Sequence, residues 1–234
     1  MTDVSTPGAT ARLYSQTPFD ERGNFHYEGD LYRPGDNLAT LAARIEAHLK
    51  TKFPDTLFAI RTDKFAGGRK ITAEILDTPT DLTARDAQND IFVAVRDQME
   101  RFGYTRSNLL QDFHNCCFYC EARIGQAYWA ALAGRRGLKN PVEAKVSLAA
   151  FKKQVRTGDS LKLVDAPAGH RALGMTRAIT QVRSGDLILE GRSYLSFPRA
   201  SAFACDGRLV RISNGSEHDP DSHLLYEWLR RDAA

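Results

Sequence analysis

Short β-type runs separated by glycines fill the second half of the chain, and this pattern limits the fold more than any other feature of the sequence. The runs cover residues 161–164, 176–182, 187–189, 194–197 and 209–212. The glycines that punctuate them are Gly158, Gly169, Gly185, Gly191 and Gly207. Because glycine permits abrupt reversals and short strands cannot build a broad flat sheet, the pattern predicts a small, strongly bent β-sheet or barrel.

A C-terminal helix is predicted to close this second unit. Asp219 is a suitable N-cap, and Pro220 suits the first helical position. The apolar residues behind them recur at helical spacing, namely Leu224, Leu225, Trp228 and Leu229. We expect this helix to dock on the sheet, and we expect a short helix over 147–155 to precede the first strand.

The first half of the chain has the longer periodicity of helices. One helical face follows Asp36 or Asn37 as the cap and predicts a helix to about Lys52; its members are Leu38, Leu41, Ile45 and Leu49. Two β-type runs, 57–61 and 70–76, flank Gly67 and Gly68. Since paired glycines supply the positive φ that a reversal needs, these runs predict a hairpin.

A second helix and a final strand complete the first unit. The second helical face ends at Gly103 and consists of Ile91, Phe92, Val95, Met99 and Phe102. The apolar and aromatic segment 116–124 predicts a strand, and 127–132 predicts one or two helical turns. The first unit is therefore expected to have the order α-β-β-α-β.

The chain as a whole is predicted to be an α+β protein with three regions. Residues 1–35 contain many glycines and prolines together with five aromatic residues, which favours an extended arm laid over the rest. Residues 36–137 form the first unit. Basic residues, two glycines and a proline interrupt the apolar pattern at 134–141, so residues 138–234 are expected to form the second, β-rich unit.

Charge and composition limit the partners that are expected. The formal net charge is +3, and the second unit carries it, with 15 Lys or Arg against 11 Asp or Glu in residues 138–234. This mild excess permits a nucleic-acid partner without requiring one. No run approaches the ~18 apolar residues of a membrane span, and residues 1–12 lack the apolar stretch of a secretory signal. We therefore expect a cytoplasmic protein with no membrane partner.

Three crowded cysteines are candidate metal ligands together with His114. Cys116, Cys117 and Cys120 would need a fourth ligand in a tetrahedral arrangement to hold zinc. The segment is predicted to be a strand, whose alternate side chains face opposite ways. We therefore expect reduced, buried thiols, no metal and no cofactor.

Two enzymatic hypotheses are weaker alternatives. Gly158-Asp159-Ser160-Leu161 matches the short signature of one esterase and lipase family, in which the serine attacks an ester carbonyl and a histidine activates it. That family places an aspartate three residues before the histidine, whereas Pro220 precedes His223 here. A divalent ion held by His218 and His223, beside Glu217, Asp219 and Asp221, is the second hypothesis; helix capping explains part of that cluster without a metal. The prediction is a protein that is not an enzyme.

Arginine residues spread through the second unit are the most informative candidates for binding. The expected contact residues are Arg171, Arg177, Arg183, Arg192, Arg199 and Tyr194, with Arg208 and Arg211 in the wider set. A guanidinium binds phosphate through two parallel hydrogen bonds and stacks on bases, so arginines mixed with aromatic residues predict a nucleic-acid or partner surface. The alternative is a solvated face on which these arginines pair with Asp186, Glu190 and Asp206.

The first unit resembles the large polyvalent protein-associated domains, in particular the type numbered twenty-nine. The residues that carry the resemblance lie within 38–124 and are Ile45-Glu46-Ala47-His48-Leu49-Lys50, Lys52-Phe53-Pro54, Phe58-Ala59-Ile60-Arg61-Thr62-Asp63-Lys64-Phe65-Ala66-Gly67-Gly68 and Asp77-Thr78-Pro79-Thr80. The second unit is generically similar to the small SH3-like barrels of plasmid and phage accessory proteins. The resemblance implies a protein of a phage, plasmid or other mobile element.

The functional prediction combines this context with the arginine set. We expect a non-enzymatic accessory protein that binds DNA, RNA or a host complex associated with nucleic acid. The alternative is a counter-defence inhibitor of the anti-CRISPR or anti-restriction type, which would contact a host defence or replication protein directly. In that case aromatic and arginine anchors, rather than phosphate contacts, would dominate binding.

Overall fold

The computed structural model describes residues 12–141, 148–167, 169–196, 203–205, 208–213 and 223–231. These residues pack into two compact units. The first unit holds residues 12–76 and Asn89–Arg123, and the second holds Asp77–Gln88 and residues 124–231. No helix among the described residues has the length and apolar character needed to cross a membrane.

The first unit contains two small sheets and two helices. In chain order its elements are a 3₁₀ turn at Tyr14–Gln16, β1 (Asn24–Glu28), α1 (Leu38–Lys52), β2 (Leu57–Phe65), β3 (Gly68–Asp77), α2 (Arg85–Glu100), β4 (Tyr104–Asn108), β5 (Phe113–Cys116) and β6 (Tyr119–Ile124). The sheet orders are β1-β4-β5 and β2-β3-β6. Helix α2 begins in the segment assigned to the second unit and ends in the first.

Helix α1 forms where its apolar stripe and its cap agree. The side chain of Asn37 accepts a hydrogen bond from the backbone N–H of Thr40 at 2.9 Å, which satisfies one free donor of the first turn. The predicted stripe is buried, and Leu41, Ile45 and Leu49 are at most 1% exposed. The predicted helix is therefore confirmed, with Asn37 rather than Asp36 as its cap.

The predicted hairpin is also confirmed and is longer than expected. Strands β2 and β3 are joined through Ala66 and Gly67, and β3 buries Ile71, Ala73 and Ile75 along one side. Across the hairpin, Arg61 Nε donates to Glu74 Oε2 at 2.7 Å. Strand β6 adds to the other edge of β3 as the predicted final strand, but the single strand expected over 116–124 is wrong, because Cys116 ends β5 and a bend at Cys117 and Phe118 precedes β6.

The second unit is built on a seven-stranded sheet. Its elements are α3 (Gln126–Arg135), α4 (Leu148–Lys152), β7 (Ser160–Asp165), β8 (Thr176–Val182), β9 (Asp186–Leu189), β10 (Ser193–Ser196), β11 (Phe203–Cys205), β12 (Leu209–Ser213) and β13 (His223–Leu229). The strand order is β10-β9-β8-β7-β13-β12-β11, and the described pairings are antiparallel. Two meanders therefore meet where β7 pairs with β13.

One core is shared by strands from both ends of this sheet, which requires the sheet to bend. Leu161, Ile179, Leu195, Val210 and Trp228 belong to a single cluster of buried side chains, and each is at most 7% exposed. No pairing joins the edge strands β10 and β11 in the part of the chain that the structure describes. The small bent sheet is confirmed, and no strand pairing among the described residues closes it into a barrel.

The opposite side of the central strands is covered by α3 and by the segment Asp77–Gln88. Trp129 Nε1 donates to Asp165 Oδ2 at 2.8 Å, and Gln88 Nε2 donates to the carbonyl of Val164 at 2.7 Å. The hydroxyl of Tyr128 accepts from the backbone N–H of Leu82 at 2.7 Å. These contacts place α3 in the second unit. The boundary between the compact units therefore differs from the expected one between residues 137 and 138.

The predicted C-terminal helix over Leu224, Leu225, Trp228 and Leu229 is wrong, because these residues lie in strand β13. Strand β13 runs between β12 and β7, and both of its faces are covered. Tyr226 and Trp228 enter the core on one side, while Glu227 accepts from Arg208 on the other. A strand buried on both faces has no polar alternation, and its continuous apolar run imitates helical spacing. The predicted cap, Asp219 and Pro220, lies outside the described residues.

Candidate binding surfaces

Three of the predicted arginines lie at one end of the second unit's sheet. Arg171 is exposed in the connection between β7 and β8, and Arg177 is the second residue of β8. Arg192 is exposed in the β9–β10 turn, where the backbone N–H of Glu190 donates to the carbonyl of Ala178 at 2.8 Å. This bond ties the turn to the start of β8, beside Arg177. The hairpin register thus brings Arg177 and Arg192 to the same end of the sheet, from which the β7–β8 connection that contains Arg171 also extends.

Tyr194 and Arg183 share the solvent-facing side of the β8–β10 strands. Tyr194 is 69% exposed and lies opposite Ile188, which in turn lies opposite Gln181. Arg183 Nε donates to Gln181 Oε1 at 3.0 Å, so its side chain extends over the same side. Arg183 is at the opposite end of β8 from Arg177, roughly 20 Å away along the strand.

The predicted alternative, in which these arginines pair with neighbouring carboxylates, does not describe this surface. Among the residues that the structure describes, no ion pair involves Arg171, Arg177, Arg183 or Arg192. By contrast, Arg208 lies 2.7 Å from Glu227, a buried carboxylate that belongs to the unit's framework. Arg199 and Asp206 lie outside the described residues.

Arg177 differs from its neighbours because it is partly inside the unit. It alternates with Ile179 along β8 and therefore shares the inward face, and its Nη2 lies 3.7 Å from the Sδ of Met175. Burial raises the pKa of Tyr226 to about 12, and nearby Arg177 acts in the opposite direction. The cation is thus held near an unionised phenol. We define the arginine surface as Arg171, Arg183, Arg192 and Tyr194, with Arg177 at its margin.

The esterase hypothesis fails on strand register. Ser160 pairs with Leu229, whereas His223 begins the same strand six residues earlier. At about 3.3 Å per residue the serine and the histidine are roughly 20 Å apart, and proton transfer requires hydrogen-bond distance. His223 instead lies beside Asp165, with 3.1 Å between His223 Nε2 and Asp165 Oδ2.

The metal hypothesis rests mostly on residues that are not described. Glu217, His218, Asp219 and Asp221 lie in the undescribed segment 214–222. Within the described ranges, no group of three or more His, Cys, Asp or Glu side chains is arranged to hold a metal ion. The oxygen of Asp165 that lies near His223 also accepts from Trp129, which is a structural use of that carboxylate.

The crowded cysteines of the first unit are shielded thiols. Burial raises the pKa of Cys116 to about 11, and Glu100 adds to this effect. Burial also raises the pKa of Cys120 well above its ordinary value. Cys117 contacts a cation, since Arg69 Nη2 donates to its Sγ at 3.1 Å. A raised thiol pKa disfavours the reactive thiolate, so Cys116 and Cys120 are poor nucleophiles at neutral pH.

An exposed apolar patch on the first unit was missed by the sequence analysis. Leu109 and Leu110, in the β4–β5 turn, are 73% and 82% exposed, and Phe113 beside them is 50% exposed. Phe65 contacts Tyr119 with 5.5 Å between ring centroids, and His114 stacks on Tyr119 at 5.8 Å. We call Leu109, Leu110 and Phe113 the apolar patch; Phe65, His114 and Tyr119 form a separate ring cluster, because Phe113 and His114 are consecutive on β5 and face opposite ways. The sequence did contain one indication of this patch, namely two consecutive leucines beside turn residues, where a polar loop is expected.

No protein-family model matches this chain, and no curated protein or solved structure matches it. The geometry of the arginine surface and the apolar patch therefore has to support any functional proposal.

Proposed function

We propose that the protein is a non-enzymatic accessory protein that binds nucleic acid through the arginine surface of its second unit. The observation that carries this proposal is the absence of ion pairs at Arg171, Arg183 and Arg192 within the described residues. An arginine already bound to a carboxylate has lost part of its capacity for phosphate, whereas these guanidinium groups keep theirs.

The exposed phenol of Tyr194 favours a single strand over a duplex. An aromatic ring that projects from a sheet is a platform on which an unpaired base stacks, and each such contact contributes about 1–3 kcal/mol. The guanidinium groups at both ends of the strands supply phosphate contacts around that ring. In a duplex the bases are already stacked on one another, so the ring adds little there.

A mobility-shift titration tests this proposal with single-stranded DNA, RNA and duplex DNA at low and near-physiological salt. We expect single strands to bind more tightly than duplex, with affinity that falls as salt rises because bound counterions are released. The absence of binding to all three nucleic acids at low salt would contradict the proposal.

The second candidate function is contact with a protein partner through the apolar patch. Monomeric proteins seldom expose neighbouring large apolar side chains, and Leu110 retains most of its surface in contact with water. This patch fits a counter-defence inhibitor that docks on a host defence or replication protein. Leu110→Asp would abolish capture of such a partner and leave nucleic-acid affinity unchanged, while sedimentation of the purified protein would reveal whether the patch joins two copies instead.

The resemblance of residues 38–124 to the polyvalent protein-associated domains supports one cellular setting for both proposed functions. We place the protein in the cytoplasm of a cell that carries a phage, plasmid or other mobile element, where nucleic acid and the host's defence proteins are both accessible. The two surfaces belong to different units, so substitutions in one leave the other available as an internal control.

A further inference from the structure

A cavity of ≈ 480 Å³ lies in the first unit, on neither of the two surfaces above. Three separate segments line it, namely the 3₁₀ turn near Leu13, the end of α1 around Phe53, and one face of α2 that includes Val93. Its volume is within the range of sites that hold small molecules, about 300–1,000 Å³.

The wall of the cavity is apolar and held in place. Leu13 and Phe53 are partly buried, and Val93 is 49% exposed, so an occupant would remove apolar surface from water. The ring of Phe53 packs edge-on against Phe58, with 5.8 Å between centroids. A flat apolar body can therefore lie against a ring that is already oriented.

One end of the cavity is acidic and is built on a buried carboxylate. Asp97 lines the cavity and is 4% exposed. Its Oδ1 accepts from the backbone N–H of Ser15 at 2.8 Å, and its Oδ2 accepts from the Ser15 hydroxyl at 2.6 Å. Each carboxylate oxygen can accept two hydrogen bonds, so both retain capacity for a further donor. Asp90, seven residues earlier on α2 and so about 10 Å away along the helix, adds a second carboxylate at the other end of the lining, where Lys52 is the one cation among the described lining residues.

Hydrogen bonds also fix the side chain of Gln98, which is next to Asp97 on α2. The Oε1 atom of Gln98 accepts from Arg101 Nη1 at 3.1 Å and lies 2.8 Å from His48 Nε2. Its oxygen is thus occupied, which leaves the amide nitrogen as the group that Gln98 offers to the cavity. The end of the cavity near Asp97 therefore presents one buried carboxylate and one amide N–H donor beside an apolar wall.

We propose that this cavity is a binding site for a small organic ammonium ion with an aromatic body. The ammonium group donates to Asp97, the aromatic body lies against Phe53 and Val93, and Asp90, farther along α2, adds a weaker attraction. A carboxylate ligand is repelled by the same two acids. A neutral ligand of equal size keeps the apolar contact but loses the charge-assisted hydrogen bond.

Three nearly isosteric probes test the site by NMR titration of the full-length protein. Tyramine carries the ammonium, tyrosol replaces it with a hydroxyl, and hydroxyphenylacetate replaces it with a carboxylate. We expect tyramine to bind with a dissociation constant of about 0.1–1 mM, as its size allows, and to bind at least about tenfold more tightly than the other two. The shifted amides should belong to the 3₁₀ turn, the end of α1 and the lining face of α2.

Two substitutions, each with a control, test where tyramine binds and leave the buried carboxylate of Asp97 unchanged. Val93→Trp fills the cavity from a half-exposed position and should abolish tyramine binding, while Ala43→Trp, an exposed site on α1 away from the cavity, should leave it intact. Asp90→Asn should weaken binding about threefold to fivefold, and Asp63→Asn on β2 should have no effect. Equal binding of tyramine and tyrosol, or unchanged binding by the Val93→Trp protein, would overturn the proposal.

Discussion

The indole Nε1–H of Trp228 donates to the Oδ2 of Asp159 at 3.0 Å and joins residues that are 69 positions apart in the chain. The same carboxylate accepts from the backbone N–H groups of Arg156 at 2.9 Å and Arg231 at 3.0 Å. Burial alone would raise the pKa of Asp159, but these hydrogen bonds outweigh it and lower the pKa. Asp159 therefore fixes the start of β7 to the end of β13.

Removal of this carboxylate should destabilise the protein strongly. Asp159→Ala leaves three donors without their acceptor, and we expect the free energy of unfolding to fall by about 2–4 kcal/mol. The exposed control Glu190→Ala should change it by less than about 0.5 kcal/mol. Urea unfolding followed by tryptophan fluorescence measures both. Because the folded pKa is lowered, this contribution is present above the ordinary pKa of 3.8 and is lost as pH falls through the folded value.

Glu100 should make the first unit less stable as pH rises. Burial raises the pKa of Glu100 to about 7, although Arg96 beside it has an opposing effect. The folded protein holds this proton more tightly than the unfolded chain, whose pKa is near 4.5. The stability that the neutral carboxyl contributes is therefore complete below that value and is lost as pH rises through about 7.

Glu100→Gln should remove this dependence. The variant should be more stable than the original protein by about 3 kcal/mol near pH 8 and nearly equal to it below about pH 5. Urea midpoints across this pH range measure the effect. A variant whose stability falls with pH as steeply as that of the original protein would show that another group titrates.

Replacement of two glycines by alanine should change the stability of the protein in opposite directions. A Cβ at Gly29 would lie 2.1 Å from the carbonyl oxygen of Arg101, so the backbone must move, and Gly29→Ala should destabilise by more than about 2 kcal/mol. Gly134 is inside α3 with nothing within 4 Å, so Gly134→Ala should stabilise by about 0.5–1 kcal/mol through helix propensity. Thermal unfolding of the two variants measures whether each is less or more stable than the original protein.

Substitutions on the arginine surface should separate phosphate contacts from stacking. Arg192 has a positive φ of 60°, so Arg192→Asn removes the charge and keeps a residue that tolerates this backbone. This variant should bind all nucleic acids about fivefold more weakly and with a salt slope smaller by about one. Arg33→Ala, at an exposed arginine of the first unit, should leave binding unchanged.

Tyr194 should contribute to the affinity for single strands but not to the affinity for duplex. Tyr194→Ala should weaken single-strand binding by about tenfold and leave duplex affinity nearly unchanged, and Tyr194→Phe should restore most of the loss because the ring remains. Fluorescence anisotropy with labelled oligonucleotides measures these affinities. Equal loss on single strands and duplex would indicate a damaged surface rather than a lost stacking contact.

The sequence predicted elements where one face is buried and the other is solvated. Helix α1 has such a pattern and formed where expected, whereas the β2–β3 hairpin was predicted from its glycine pair and β-type runs, although the centre of β3 is buried on both faces. Strand β1 also had the signal, because Phe25 and Tyr27 are buried on either side of exposed His26, but it was hidden in a glycine-rich segment. Strand β4 had none, since its buried residues are Thr105 and Asn108.

The sites depended on information that local patterns do not contain. Composition identified the arginines, but only strand pairing shows that Arg177 and Arg192 share one end of the sheet while Arg183 lies at the other end. The cavity could not be predicted, because Leu13, Phe53 and Val93 come from three distant segments and each is an ordinary apolar residue by itself. Burial on both faces concealed β13 for a related reason, since its covering residues are far away in the chain.

The central pairing of β7 with β13 also sets the order in which the second unit can fold. A growing chain can pair β7 with β8, β9 and β10 as they leave the ribosome, but the middle of the sheet stays incomplete until β13 has been made. Until then one edge of β7 and one edge of β12 have no partner, and unpaired strand edges with apolar side chains are prone to aggregate. Chaperones would therefore be needed most during this interval of synthesis, and a translational pause ahead of β13 would lengthen it.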